Sequence, residues 1–179
     1  MGSLVASRPV YIPLSPCPRL PAPCSSWYSC SPYCLLQILV TFENLAAWGR
    51  CLCAVCPSPT TIVTSGASAV VCVWELGMAK GRPRGLHLKQ ALYGHTQAVT
   101  CLAASVTFSL LGTIVSCAGA HLSLWNVNGQ SLASITTAWG PEGAITCCCV
   151  IEGPAWDTSH VIITGSQDGM VRVSVSWAE

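Results

Sequence analysis

Charge is what this sequence has least of. Of its 179 residues, 8 are Lys or Arg and 7 are Asp or Glu, so charged residues make up 8%, against about 25% in ordinary globular domains. The net charge of +1 provides no field that would draw nucleic acid or an acidic membrane surface. Long apolar runs are missing as well. Leu35 to Val40 is interrupted by Gln37, and no run approaches the ~18 residues of a membrane-spanning helix. No transmembrane segment is expected. Pro9, Pro13, Pro16 and Pro18 break up the region where a signal peptide would carry its apolar core. Ala6 stands where a myristoylation signal wants Ser or Thr. These absences point to a cytoplasmic chain.

Cysteine is plentiful, but an even count is lacking. Thirteen cysteines cannot all pair within one chain. Cys51, Cys53, Cys72, Cys101, Cys117, Cys147, Cys148 and Cys149 fall in apolar, strand-like runs, where a free thiol packs as a small hydrophobe. Reduced thiols are the simpler expectation. Cys53-Ala54-Val55-Cys56 is a lone CxxC. Neither Cys30 with Cys34 nor the Cys147 to Cys149 run supplies the second pair that a structural zinc site wants. No metal and no cofactor are therefore expected. Catalytic patterns are lacking too: there is no P-loop, no dinucleotide fingerprint, and Gly165-Ser166-Gln167-Asp168-Gly169 is not a nucleophile elbow.

What the sequence has is repetition. Residues 1–37 hold most of the 12 prolines and no acidic residue. Proline at that density removes ladder donors, and this Pro/Cys-rich head is expected to be disordered. Trp27, Tyr28 and Tyr33 within it have no basic neighbours, which argues against stacking on nucleic acid. From residue 38 the chain turns to short β-branched runs separated by turn residues, the pattern of an all-β fold. Gly94-His95 is followed 30 residues later by Trp125-Asn126. Trp74 lies 51 residues before Trp125, and 49 residues after Trp125 comes Ser174. A β-branched pair precedes each of these positions: Ile62-Val63, Ile114-Val115 and Ile162-Ile163. Repeats of roughly 40–45 residues with this Gly-His and Trp-Asp-like punctuation indicate four-stranded propeller blades. Three blades are predicted, at about 49–93, 94–138 and 139–179, too few to close a ring.

This punctuation resembles the WD-type repeat, and the resemblance implies that a Gly-His histidine, a second-strand Ser or Thr, a turn Asp and a third-strand Trp hydrogen-bond to one another and fix strand register, as buried polar networks do. The second repeat supplies Gly94, His95, Ser116 and Trp125 but no turn Asp. The first supplies Trp74. The third supplies Asp168 and Thr164 (or Ser166), with Trp139-Gly140 in place of Gly-His. His95 and Asp168 are expected to be structural. Lys80, Arg82, Arg84 and Lys89 are half of all basic residues; a solvated loop after a third strand Val70 to Leu76 is expected there, with contact to acidic lipid or a phosphorylated partner as the sharper alternative.

The wording of several stretches goes further. Phe42 to Gly49, Leu92 to Leu111 and Gly140 to Val173 resemble the C-terminal WD-repeat region of BEACH-domain proteins of the WD-repeat and FYVE-domain-containing type. Neither a BEACH domain nor a FYVE zinc module is present in the chain. The join at Leu111-Gly112 skips about one repeat of that pattern, and the tail from Ser174 to Glu179 departs from it, so a fragment or splice form is expected. The resemblance implies a non-catalytic scaffold that binds protein partners in vesicle and endosomal trafficking and selective autophagy, cytoplasmic and associated with endomembranes through those partners. The alternatives are a truncated isoform without autonomous function and a small enzyme, which the missing site motifs disfavour.

Overall fold

The computed structural model describes residues 41, 48–105, 113–126, 128–152 and 160–176. The head 1–37, the stretch 42–47, the Leu111-Gly112 join, Trp156 and Trp177 lie outside the described residues.

Among the described residues, strands form three antiparallel sheets, each laid down in chain order. The first holds β1 (Cys51–Ser58), β2 (Thr61–Gly66), β3 (Val71–Ala79) and β4 (Arg82–Leu92). The second holds β5 (Val99–Ala104), β6 (Thr113–Ala118), β7 (His121–Asn126) and β8 (Ser131–Thr136). The third holds β9 (Ile145–Glu152), β10 (His160–Ser166) and β11 (Val171–Ser176). The first strands of the three sheets, β1, β5 and β9, pack side by side. The fold is all-β, an incomplete WD-repeat propeller.

The strands form where β-branched residues cluster, and the turns where tight geometry is encoded. One expectation is corrected. The basic segment after Leu76 is not a loop: β3 runs on to Ala79, β4 starts at Arg82, and only two residues turn the chain. Lys80 and Gly81 both have positive φ, 51° and 71°. That is the twist-matched hairpin geometry that glycine accepts at no steric cost. Pro83, which has no amide proton, sits beside a register shift between Gly77 and Met78 in the β3–β4 ladder. At the other end of the first sheet, Pro57 and Ser58 continue β1, and the turn falls at Pro59 and Thr60.

Strand alternation explains the core. Successive side chains point to opposite faces, so the middle sheet can bury both. Ile114, Ala118 and Trp125 pack with Val63, Val71, Val73 and Leu92 of the first sheet. Val115, Cys117, Leu122 and Leu124 pack with Ile145 and Ile162 of the third. All of β6 is buried, which is why it reads as a run without polar alternation. In β5, an irregularity between Val99 and Cys101 resets the phase: Val99 and Leu102 face the first sheet, Cys101 and Ala103 the third. β8, outermost in its sheet, is exposed along its whole length. Among the described residues, the third sheet has a neighbour on one face only. Ile151, Val171, Val173 and Val175 on it are 51%, 72%, 64% and 45% exposed.

The connections that join consecutive sheets lie at the same end as the β2–β3, β6–β7 and β10–β11 turns. Backbone bonds tie them: Ala67 N to Arg50 O, Ile145 N to Gly119 O, and Gln167 N to Ala144 O. This end carries the motif residues and an aromatic rim.

Candidate functional site

Gly94, His95, Ser116 and Trp125 come together in the second sheet. Ser116 lies mid-strand in β6, fully buried, and Trp125 near the end of β7 is 4% exposed. The indole Nε1 of Trp125 donates to Ser116 Oγ at 2.8 Å, and His95 Nε2 lies 2.7 Å from the same oxygen. The two rings meet edge-on, with centroids 6.2 Å apart. An indole can only donate. The hydroxyl proton is then free to go to a neutral imidazole protonated at Nδ1, and all three polar atoms are satisfied. Gly94 completes the arrangement by having no side chain: a Cβ there would stand 2.9 Å from Trp125 Cη2.

Burial, and secondarily the charge of His121, lowers the His95 pKa below its ordinary 6.5. As pH falls, the unfolded chain takes up this proton before the folded one does. The stability contributed by neutral His95 is therefore complete above 6.5 and is lost as pH falls from there through the folded value. Between about pH 7 and about pH 5, the wild-type urea midpoint is expected to drop more steeply than that of His95→Gln. Parallel pH profiles for the two proteins would remove His95 from the account.

The other repeats carry partial versions. Trp74 Nε1 donates to Thr64 Oγ1 at 2.7 Å. Thr64 was missed by sequence reasoning, although it stands ten residues before Trp74 as Ser116 stands nine before Trp125. Gly49-Arg50 occupies the Gly-His place there, with Arg50 exposed. The third sheet keeps the register: Ile162 faces Ser174 as Ile114 faces Trp125 and Ile62 faces Trp74. Thr164, 1% exposed, thereby falls at the position of Thr64 and Ser116. Asp168 does not join a histidine. It accepts from Ser166 Oγ at 2.6 Å and Met170 N at 3.0 Å and pairs with Arg172 at 2.5 Å. The Arg172 guanidinium, helped by Ser166, holds its carboxyl well below the usual carboxylate range. Arg172 is the second partner that sequence reasoning missed. The four-residue spacing from Asp168 was the available signal.

The exposed face of this end is aromatic. Each sheet is preceded by an aromatic-glycine pair: Trp48-Gly49, Tyr93-Gly94 and Trp139-Gly140. Trp139 is 91% exposed and Tyr93 67%. Trp48 is half-buried and stands against Tyr93, ring centroids 6.4 Å apart. The opposite end of the inner strands holds an open depression of about 290 Å³ between β1, β5 and β9.

Residues 86–126 and 129–173 match the WD domain, G-beta repeat family. The chain carries a WD-repeat region. That region is homologous to the WD repeat- and FYVE domain-containing protein 4 of Homo sapiens, with 70% identity over 176 residues, and of Mus musculus, with 68%. Each match covers 76% of this chain and 6% of the relative. Protein SPIRRIG of Arabidopsis thaliana is 28% identical over 180 residues, again 76% of this chain and 5% of the relative. The chain thus spans about one-twentieth of the length of the curated relatives it matches. Seventy-six per cent of this chain is about 136 residues, so about 40 of the 176 aligned positions have no counterpart in it. That deficit is the size of one WD repeat, the length expected to be skipped at the Leu111-Gly112 join.

Proposed function

We propose that this WD-repeat region is a non-catalytic scaffold for protein partners, working in vesicle and endosomal trafficking and selective autophagy, in the cytoplasm and at endomembranes reached through those partners. The observation that carries the proposal is the aromatic rim. Tryptophan and tyrosine dominate the energetic centres of protein interfaces, and Trp139 and Tyr93 stand in solvent at the end of a rigid sheet stack. Homology to proteins named for WD repeats and FYVE or BEACH domains supports the trafficking setting. The rim is built on loops held by backbone bonds to the neighbouring turns, so little ordering is required on binding.

The test is affinity capture from an endosome-enriched fraction with the wild-type chain and the Tyr93→Ala/Trp139→Ala double variant. The variant should melt at the wild-type temperature, since both side chains are exposed. It should lose at least about tenfold of the specifically bound proteins, the loss expected for one hot-spot residue. An unchanged set of captured proteins, or a set without vesicle or autophagy components, overturns the proposal.

A second possibility, a truncated form without autonomous function, is favoured by the open apolar face of the third sheet. Apolar side chains exposed together on one face, as Val171, Val173 and Val175 are among the described residues, promote association between copies. A sharp melting transition and a monodisperse species count against it; aggregation on purification counts for it.

A further inference from the structure

Three thiols from two sheets meet at one point. Cys101 on β5, Cys117 on β6 and Cys148 on β9 hold their sulfurs within 4.8 Å of one another. Cys101 and Cys117 face each other across the β5–β6 ladder. Cys148 reaches them from the third sheet, because its side of β9 faces the middle sheet while Cys147 and Cys149 face away. All three are free thiols; Cys101 and Cys117 are buried and Cys148 is half-buried. The Cys117 and Cys148 thiols turn toward the Cys101 sulfur.

The donor set has a chemical signature. Ala103, Val115, Leu122, Leu124, Ile145 and Ile162 surround it, and no imidazole or carboxylate belongs to the cluster among the described residues. With metal–sulfur bonds of about 2.3 Å, the sulfurs of a trigonal or tetrahedral set lie about 3.7–4.0 Å apart. The three thiols therefore need at most a small contraction to close on one ion. Structural zinc takes four ligands, whereas an all-sulfur, three-ligand set suits soft Cu(I). Cys148 also lines the open depression between the inner strands, which provides an entry path.

We propose that Cys101, Cys117 and Cys148 form a three-thiolate site for Cu(I) that fastens the second sheet to the third. Each thiol gives up its proton to solvent as its sulfur bonds the ion, so three protons leave for each Cu(I) bound. No change of oxidation state is involved. The site does not depend on the partner-binding proposal.

The test uses the full chain, reduced and kept anaerobic, titrated with Cu(I) against a chromogenic Cu(I) chelator. The expected result is one tightly held Cu(I) per chain, three sulfur neighbours at about 2.3 Å by X-ray absorption, and a raised melting temperature. Cys148→Ala removes the least buried ligand and should weaken binding by about a hundredfold or more. Cys149→Ala, next to it on the outward face of β9, should bind as the wild type does. Failure to outcompete the chelator overturns the site and leaves three small core hydrophobes. So does an equal loss in Cys149→Ala, a four-ligand coordination shell, or a preference for Zn²⁺ over Cu(I).

Discussion

Replacing Trp125 by alanine lowers the unfolding free energy by about 3–5 kcal/mol, the range for emptying a buried aromatic site. The indole is 4% exposed and fills the seam between the first and second sheets with Val63, Val71, Val73 and Leu92. Both walls of that seam are hydrogen-bonded ladders, so the emptied space cannot collapse without breaking strand pairing. The loss is a large part of the 5–15 kcal/mol that usually separates folded from unfolded domains. Urea denaturation followed by far-ultraviolet circular dichroism measures it without relying on the deleted fluorophore. A loss under about 1 kcal/mol, the value for an ordinary surface change, would falsify the packing role.

The second large effect comes from a single hydroxyl. Ser116→Val removes the oxygen that both Trp125 Nε1 and His95 Nε2 use and adds the same extra methyl volume as threonine would. The buried Trp125 indole N–H and the half-buried His95 imidazole lose their partner at once, at a cost of about 2–4 kcal/mol. Ser116→Thr is the discriminating control. Thr64 already performs this task for Trp74 in the first sheet, and the β6 backbone suits a β-branched residue. The threonine variant should recover most of the stability, apart from about 1 kcal/mol for fitting one more methyl into a closed core. Equal destabilisation by valine and threonine would assign the effect to volume and not to the hydrogen bond. His95→Ala combined with Ser116→Val should cost less than the sum of the two, because the histidine has already lost its partner in the valine variant.

Much of this architecture is legible in the chain itself. The strand expected at Val70 to Leu76 forms as β3, Val71–Ala79, its ends within three residues of the expectation. The local signals are strong there: β-branched runs, a Trp at a fixed offset, and glycine or proline at the joints. The β3–β4 segment misled because clustered lysine, arginine, glycine and proline look like a solvated loop. Yet alternate residues on an outer strand can be charged without cost, and Lys80-Gly81 alone turns the chain. Asp168 was placed in its turn by sequence, but its partner was not. In that repeat, which lacks the Gly-His histidine, Arg172, opposite Thr164 in the β10–β11 ladder, pairs with Asp168.

The sequence by itself determined the repeat, the strand order and the residue types of the Gly94, His95, Ser116 and Trp125 chain, because these depend on local spacing and on hydrogen-bonding capacity. Only the tertiary structure decided which face of each strand meets which sheet. A strand's period of two says that neighbours diverge, but not where each points. That choice put Trp125 against the first sheet and Cys117 against the third, left Val171, Val173 and Val175 in solvent, and brought Cys148 to Cys101 across 47 residues of chain.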